Sequence, residues 1–310
     1  MPRLISTAVV LALLAATAVA FAITEGAKVE KSPIYGTDVT KVFSPNCPQP
    51  CKNGGQVTAD VKFRLRKRER VEVTIQDSSG NRVATLASGR TFAPRKKLDF
   101  VWSGITSSGL LVPDGVYTPI VKLPHRTFEL PNAIRLDTKP PVVTVHHQFP
   151  VFSPDGDGHN DTVRVPYRVN KPARGILLVD KQRVLLTYRK PLAGSLVWDG
   201  KLNGKPVKPG RYVLSISAQD EAGNVAKPIP FAIAQVRYVV LARKRVVVKP
   251  GGAFAIRVST DSPTVRWKLH GRSGVEKRGT LHFHAPKSPG VYHLYVYAAG
   301  HGASTAVVVA

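Results

Sequence analysis

Apolar and polar residues alternate with a period of two along most of this chain beyond residue 40. Val57-Thr-Ala-Asp-Val-Lys-Phe-Arg-Leu65 and Val71-Glu-Val-Thr-Ile75 set the pattern. Arg82-Val-Ala-Thr-Leu86, Leu98-Asp-Phe-Val-Trp102 and Val116-Tyr-Thr-Pro-Ile-Val-Lys-Leu123 continue it. Such alternation sends successive side chains to opposite faces and predicts half-buried strands. Gln76-Asp-Ser-Ser-Gly-Asn81 and Thr106-Ser-Ser-Gly109 are turns between them. A second series follows: Thr162-Val-Arg-Val-Pro-Tyr-Arg-Val169, Gly175-Ile-Leu-Leu-Val179, Val184-Leu-Leu186, Ser195-Leu-Val-Trp198 and Gly210-Arg-Tyr-Val-Leu-Ser-Ile-Ser-Ala218. A third runs through Phe254-Ala-Ile-Arg-Val258, Thr264-Val-Arg-Trp-Lys-Leu269, Gly290-Val-Tyr-His-Leu-Tyr-Val-Tyr297 and Ala303-Ser-Thr-Ala-Val-Val-Val309. No helical periodicity is predicted after residue 24, so the fold class is all-β, a chain of tandem sandwiches.

The first two series share more than alternation. Phe43-Ser-Pro-Asn46 opens one, and Phe152-Ser-Pro-Asp-Gly-Asp-Gly-His-Asn-Asp161 opens the other. Trp102-Ser-Gly and Pro113-Asp-Gly-Val-Tyr117 in the first correspond to Trp198-Asp-Gly and Lys208-Pro-Gly-Arg-Tyr212 in the second, where Asp220-Glu-Ala-Gly-Asn224 follows. An internal repeat of this kind decides architecture before any single residue does. It places one domain at 40–137 and another at 138–235, joined by the stiff, extended Asp137-Thr-Lys-Pro-Pro141. A third sandwich is predicted over 236–310. It keeps a Gly-x-Tyr edge but does not repeat the rest of the grammar.

This grammar resembles the FlgD Ig-like domain, the sandwich module of the flagellar hook-capping protein that also occurs as tandem repeats in bacterial surface and secreted proteins. The match is closer in the second module than in the first, and the third block is similar only to bacterial Ig-like domains in general. The resemblance implies tandem Ig-like or fibronectin-like β-sandwiches. It implies little about function, because such modules are grafted onto many unrelated proteins.

The amino terminus differs from everything after it. Met1-Pro-Arg3 is followed by an uncharged run from Leu4 to Ile23. Residues 1–24 therefore read as a signal peptide or a single membrane anchor, with Ala18-Val-Ala20 and Ala20-Phe-Ala22 as cleavage sites in the first case. Residues 25–39 read as a spacer. Both alternatives place the later domains outside the plasma membrane, secreted or anchored. Only two cysteines occur, Cys47 and Cys51. In an exported chain an isolated close pair predicts a disulfide fixing a local turn.

Lys and Arg number 45 against 20 Asp and Glu among 310 residues, a formal net charge of +25. Such a balance speaks of partners and solubility and is silent on fold. For an exported protein the available polyanions are anionic cell-envelope polymers, acidic surface proteins and lipid headgroups, the last reached through the first segment if it is uncleaved. No nucleic acid is expected. The bland alternative is a set of solvated Arg-rich faces.

Candidate chemistry centres on Asp155, Asp157, Asn160 and Asp161, oxygen donors in one glycine-rich loop that suits a hard cation such as calcium. The competing reading is an Asx-rich turn whose side chains bond local amides. The first module has Asn46-Cys-Pro-Gln-Pro-Cys51 at the corresponding place, which favours a structural role in both copies. No other cofactor is predicted. Trp102, Trp198 and Trp267 are expected in or at the edge of cores. His282 and His284 share one strand face but lack a visible third ligand. No Gly-x-Ser-x-Gly, His-Glu-x-x-His, phosphate loop or dinucleotide fingerprint occurs, and no catalytic residue is predicted. The expectation is a non-catalytic structural, adhesive or binding scaffold of the cell envelope. The alternative is an accessory or catalytic component of a cell-wall or carbohydrate-active enzyme system.

Overall fold

The computed structural model describes residues 10–19, 31–51 and 54–310. Residues 10–19 are helical, and among the described residues no helix is long and apolar enough to cross a membrane. The leader or anchor expected over 1–24 falls partly at 1–9 and 20–24, outside the described residues, as does 25–30 of the expected spacer. The described residues from 31 onward are strand, turn and loop. The chain divides into two compact units, Met1–Lys41 with Thr58–Leu136, and Val42–Val57 with Asp137–Ala310.

The first unit holds β1 (Ile34–Val39), β3 (Ala59–Leu65), β4 (Glu69–Gln76), β5 (Arg82–Phe92), β6 (Lys97–Trp102), β7 (Gly115–Lys122), β8 (Thr127–Glu129) and β9 (Ile134–Leu136). The short β2 (Val42–Phe43) belongs to the segment assigned to the second unit. One sheet has the order β1-β3-β6; the other runs β9-β7-β4-β5, with β8 on β7. Their alternation is that of the sequence: Ala59, Val61, Phe63 and Leu65 of β3 are fully buried, and so are Val71, Val73 and Ile75 of β4. Burying each such large apolar side chain contributes about 1.5–3 kcal/mol.

Two boundaries differ from expectation. Residues 34–39, read as spacer, form β1, antiparallel to β3 with Ile34 opposite Leu65 and Val39 opposite Val61. A register shift between Tyr35 and Asp38, with Gly36 at φ 61°, breaks the alternation and hides the strand from a period-two reading. The segment 42–57, read as the start of the first domain, groups with the second unit.

The second unit contains two further sets of strands. One comprises β10 (Val143–Val145), β11 (Val151–Phe152), β12 (Val163–Val169), β13 (Ala173–Val179), β14 (Gln182–Leu186), β15 (Ala193–Trp198), β16 (Lys201–Leu202), β17 (Lys205–Pro206), β18 (Gly210–Asp220) and β19 (Ile229–Val236). The other comprises β20 (Val240–Leu241), β21 (Arg245–Val248), β22 (Ala253–Ser259), β23 (Thr264–Leu269), β24 (Arg272–Lys277), β25 (Thr280–His284), β26 (Gly290–Ala298) and β27 (His301–Val309). The first set forms sheets β10-β12-β15 and β11-β19-β18-β13-β14; the second forms β20-β22-β25 and β21-β27-β26-β23-β24. Position by position these orders are the same. In both, the last strand takes a parallel partner from the opening pair, β11 on β19 and β21 on β27. Each set encloses its own core, one around Leu177, Leu196, Trp198 and Leu214, the other around Ile256, Val265, Leu294 and Val307.

The third block, expected to depart from the grammar of the other two, thus repeats their topology with different core residues. Phe283 is its buried aromatic on β25, and Trp267 meets that ring edge-on at 5.1 Å from β23. Trp102 and Trp198 are each 2% exposed, and each donates Nε1–H to a carbonyl three residues on, Ile105 and Lys201, at 3.0 Å. One device is common to all three modules. The hydroxyls of Tyr117, Tyr212 and Tyr292 donate to the carbonyls of Pro113, Lys208 and Ser288, four residues back, at 2.5, 2.8 and 3.0 Å. Each is a tyrosine corner that fixes the entry of the strand following a Gly-x-Tyr turn. Gly115, Gly210 and Gly290 lie under the three rings, where an added Cβ would stand 3.6 Å from the aromatic carbons.

Candidate functional site

Both Phe-Ser-Pro loops are structured by the oxygen of their serine. Ser44 and Ser153 are buried, and each turns its side chain onto the loop itself. Ser44 Oγ accepts from the Asn46 amide at 3.1 Å and donates to Asn224 Oδ1 at 2.6 Å. Ser153 Oγ donates to Asp155 Oδ2 at 3.0 Å.

The Cys47–Cys51 disulfide forms, with Cα atoms 5.5 Å apart. Its sulfurs lie against Gly223 in the β18–β19 turn; a Cβ there would stand 2.5 Å from Cys47 Sγ. Around them the polar groups are satisfied. Asn224 donates Nδ2 to the Asp137 carbonyl at 2.7 Å and to Asp220 Oδ2 at 3.0 Å, and its amide reaches Asp220 Oδ1 at 2.8 Å. Lys171, in the β12–β13 turn, places Nζ 2.8 Å from Asp137 Oδ1 and 2.7 Å from Asp220 Oδ2. Burial pulls the lysine towards its neutral form, but hydrogen bonds to Asp137 and Asp220 outweigh this and hold its pKa above the usual value. Here two aspartates share one ammonium.

The acidic loop 153–161 is built differently from what its sequence suggests. Asp161 accepts from the Gly156 amide at 2.6 Å and from the Gly158 amide at 2.7 Å, so its carboxylate folds the loop backbone. Asn160 is left-handed, φ 49°, and its carbonyl accepts from the Ser153 amide at 3.1 Å. These two residues, expected beside Asp155 and Asp157 as cation ligands, also shape the turn. The reason is local: two glycines with positive φ, Gly156 and Gly158, point their amides inward at the end of the loop.

Asp155 and Asp157 do converge, and they converge with a residue that no sequence motif announced. Asp261, in the β22–β23 turn of the third module, offers an oxygen that lies within 4.8 Å of an oxygen from each. Its neighbour Ser262 is buried and donates to Asp157 Oδ2. Asp157 Oδ1 accepts from the His159 amide at 2.9 Å. Hydrogen bonding, first from Ser262, lowers the Asp157 pKa. Asp155 and Asp261 move the other way: burial raises both, and neighbouring carboxylates add to it. Both Asp261 oxygens and Thr260 Oγ1 are closed to solvent and have no well-formed hydrogen bond. Beside them is a cleft of about 250 Å³ lined in part by Asn160, Tyr238, Thr260 and Arg278. A stack completes the junction of the second and third modules, with the Tyr238 and His301 rings 3.6 Å apart and nearly parallel.

The remaining candidates stay apart. His282 and His284 are exposed on β25 opposite Ala255 and Ala253. Among the described residues, the one group of three or more His, Cys, Asp or Glu side chains close enough to hold a metal is Asp155, Asp157 and Asp261.

Comparison with known families matches the FlgD Ig-like domain over residues 51–123. It falls on the first module, whereas the residues that resembled this family most closely are in the second. The matched stretch starts beyond Phe43-Ser-Pro-Asn46 and includes Trp102 and the Gly115-Val-Tyr117 corner. Comparison with curated proteins finds no match. Among solved structures, fibronectin(III)-like modules of Clostridium thermocellum CbhA are similar at 15% identity, covering 66% of this chain and 94% of theirs, with a TM-score of 0.35. Titin domains I67–I69 are similar at 9% identity over 90% of this chain and 99% of that one, TM-score 0.33. A bacterial ice-binding adhesin is similar at 13% identity over 90% and 97%, TM-score 0.28. Residues 51–123 are thus similar to the FlgD Ig-like domain, and the chain folds as a tandem of Ig-like β-sandwiches.

Proposed function

We propose that this protein is an exported, envelope-associated, non-catalytic scaffold whose third module binds anionic envelope polymers. Ig-like modules suit a binding or scaffold role, and one surface supports this particular partner. On β26, Leu294, Val296 and Ala298 point inward, while Tyr295 and Tyr297 point out, 42% and 39% exposed, with ring centroids 6.4 Å apart. Across the ladder from them stand Lys268 and Arg266, both exposed on the same face. Gly302 lies opposite Tyr297, where a Cβ would come within 2.7 Å of the ring. Flat aromatic faces stack on sugar rings, and flanking cations attract their acidic groups. A cleft of about 980 Å³ borders the face, lined by Asp157, Arg266, Trp267, Lys268 and Tyr297 among others.

The second reading, a cell-wall or carbohydrate-active enzyme, has the carboxylates Asp155, Asp157 and Asp261 in its favour. Glycoside hydrolysis needs two carboxyl groups facing each other across the bond to be cut, about 5–9.5 Å apart. These three converge on one point within 4.8 Å, and both Asp261 oxygens are closed to solvent. Such convergence suits a shared cation better than a pair of carboxyl groups set across a sugar.

The test is retention of the purified full chain on immobilised polygalacturonate, neutral dextran and double-stranded DNA. The polyanionic glycan retains it and dextran does not. Retention falls as salt rises from 50 to 500 mM, and the double variant Arg266→Ser, Lys268→Ser weakens it several-fold. Equal retention on dextran, unchanged binding by the variant, or stronger retention on DNA would overturn the reading.

A further inference from the structure

We infer that a divalent cation, calcium by its chemistry, binds between the second and third modules on Asp155, Asp157 and Asp261 and ties the two together. This reading is independent of the polymer-binding face and of where the protein acts.

The first observation is convergence across about a hundred residues of chain. Asp155 and Asp157 lie between β11 and β12, Asp261 lies between β22 and β23, and one oxygen from each falls within 4.8 Å of the others. Oxygens on opposite sides of a calcium ion, at 2.3–2.6 Å from it, stand about 5 Å apart. Oxygens no farther apart than 4.8 Å can all reach one ion.

The second observation is independent of the first. Both oxygens of Asp261 are closed to solvent and have no well-formed hydrogen bond, nor does the adjacent Thr260 Oγ1; the Ser153 hydroxyl, close enough to act on Asp261, gives its one proton to Asp155 Oδ2. Buried polar atoms are nearly always partnered, and a buried carboxylate without a donor is costly. Cationic side chains nearby do not supply one. Arg278 Nη1 donates to the backbone carbonyls of Thr260 and Asp261, at 3.2 and 2.9 Å. Arg237 donates to Gln235 Oε1. His159 Nδ1 stands 3.4 Å from Asp157 Oδ1, on the exposed side of the loop. One Asp261 oxygen lies within 4.8 Å of an oxygen from each of the other two carboxylates.

The chain provides its own comparison. At the corresponding end of the second module, where the Ser44 loop meets the β12–β13 and β18–β19 turns, Lys171 Nζ sits between the Asp137 and Asp220 carboxylates. The turn that carries Lys171 corresponds in strand order to the one that carries Asp261. One junction has a built-in cation, and the other has a third carboxylate in place of it.

An all-oxygen donor set without imidazole or thiolate selects a hard cation. Three carboxylates with variable further oxygens suit the six to eight ligands and loose geometry of calcium better than the strict octahedron of magnesium. The Asp161 carboxylate is engaged by the Gly156 and Gly158 amides, so the proposed site is built on the three converging aspartates.

The experiment uses the full chain, stripped with chelator, in two measurements. Calorimetric titration with calcium gives one site per chain in the parent, at least tenfold weaker for magnesium, and at least tenfold weaker for calcium in Asp261→Asn. Melting temperature is then read with chelator and with calcium. In chelator, Asp261→Asn melts at or above the parent, because an unpartnered charge has been removed. In calcium the order reverses, because only the parent gains. Absence of a calcium site in the parent, or unchanged affinity in Asp261→Asn, overturns the inference. So does an Asp261→Asn melting temperature lowered equally in both conditions, which would mark Asp261 as merely structural.

Discussion

At the scale of single residues, the junctions between modules are set by very small groups. Gly223 has φ 96°, and an added methyl group would meet Cys47 Sγ at 2.5 Å and Gly55 Cα at 3.0 Å. Gly204 has a comparable φ of 75°, with open space around it. The two therefore separate backbone strain from steric exclusion. Gly223→Ala is expected to lower stability by about 1–3 kcal/mol more than Gly204→Ala, as overpacking of a close contact does. Chemical denaturation of the two variants checks this, and equal losses would mean that the disulfide does not press on the turn. The sequence made the Cys47–Cys51 pairing legible, since two lone cysteines left no other choice. It could not disclose that the sulfurs rest on a glycine 172 positions after Cys51 (223 − 51). The acidic loop was legible in the same partial way. Asp155 and Asp157 stood out, but Asn160 and Asp161 look the same in sequence and are used for backbone amides. Asp261 sits in an ordinary Thr-Asp-Ser turn, and nothing local distinguishes it.

Among elements, the tyrosine corner is the unit that recurs most faithfully. Removing the hydroxyl of Tyr117 leaves the Pro113 carbonyl without its 2.5 Å donor, in a residue only 4% exposed. Tyr117→Phe should cost about 0.5–1.5 kcal/mol, the usual net worth of such a bond. Tyr292→Phe, with a longer bond of 3.0 Å in a more open setting, should cost less. Equal and negligible losses in both would show that the corner serves packing and not hydrogen bonding. Strands with strict alternation, such as β3 and β12, were legible because one face of each is wholly buried. β1 was not, because its bulge at Gly36 breaks the period. The topology of the third module was hidden for another reason. Strand order is fixed by pairing across the sheet, and β25 reaches the core with Phe283 where the earlier modules use tryptophan.

For the whole molecule, the same architecture appears three times in sequence, and the two junctions described within the second unit are both polar. One uses Ser44, Asn224 and the Lys171 bridge; the other gathers Asp155, Asp157 and Asp261 beside the Tyr238–His301 stack. Polar contacts of this kind rest on specific partners instead of on large apolar area, so each depends on its charges being balanced. In the second junction that balance requires a cation from solution. Hydrogen–deuterium exchange of the parent chain, in chelator and in calcium, tests this most directly. Calcium should slow exchange in peptides spanning 153–161 and 259–263 together, with the β18–β19 turn unchanged as the internal reference. Slowing confined to 153–161, or none at either segment, would contradict a cation shared between the two modules.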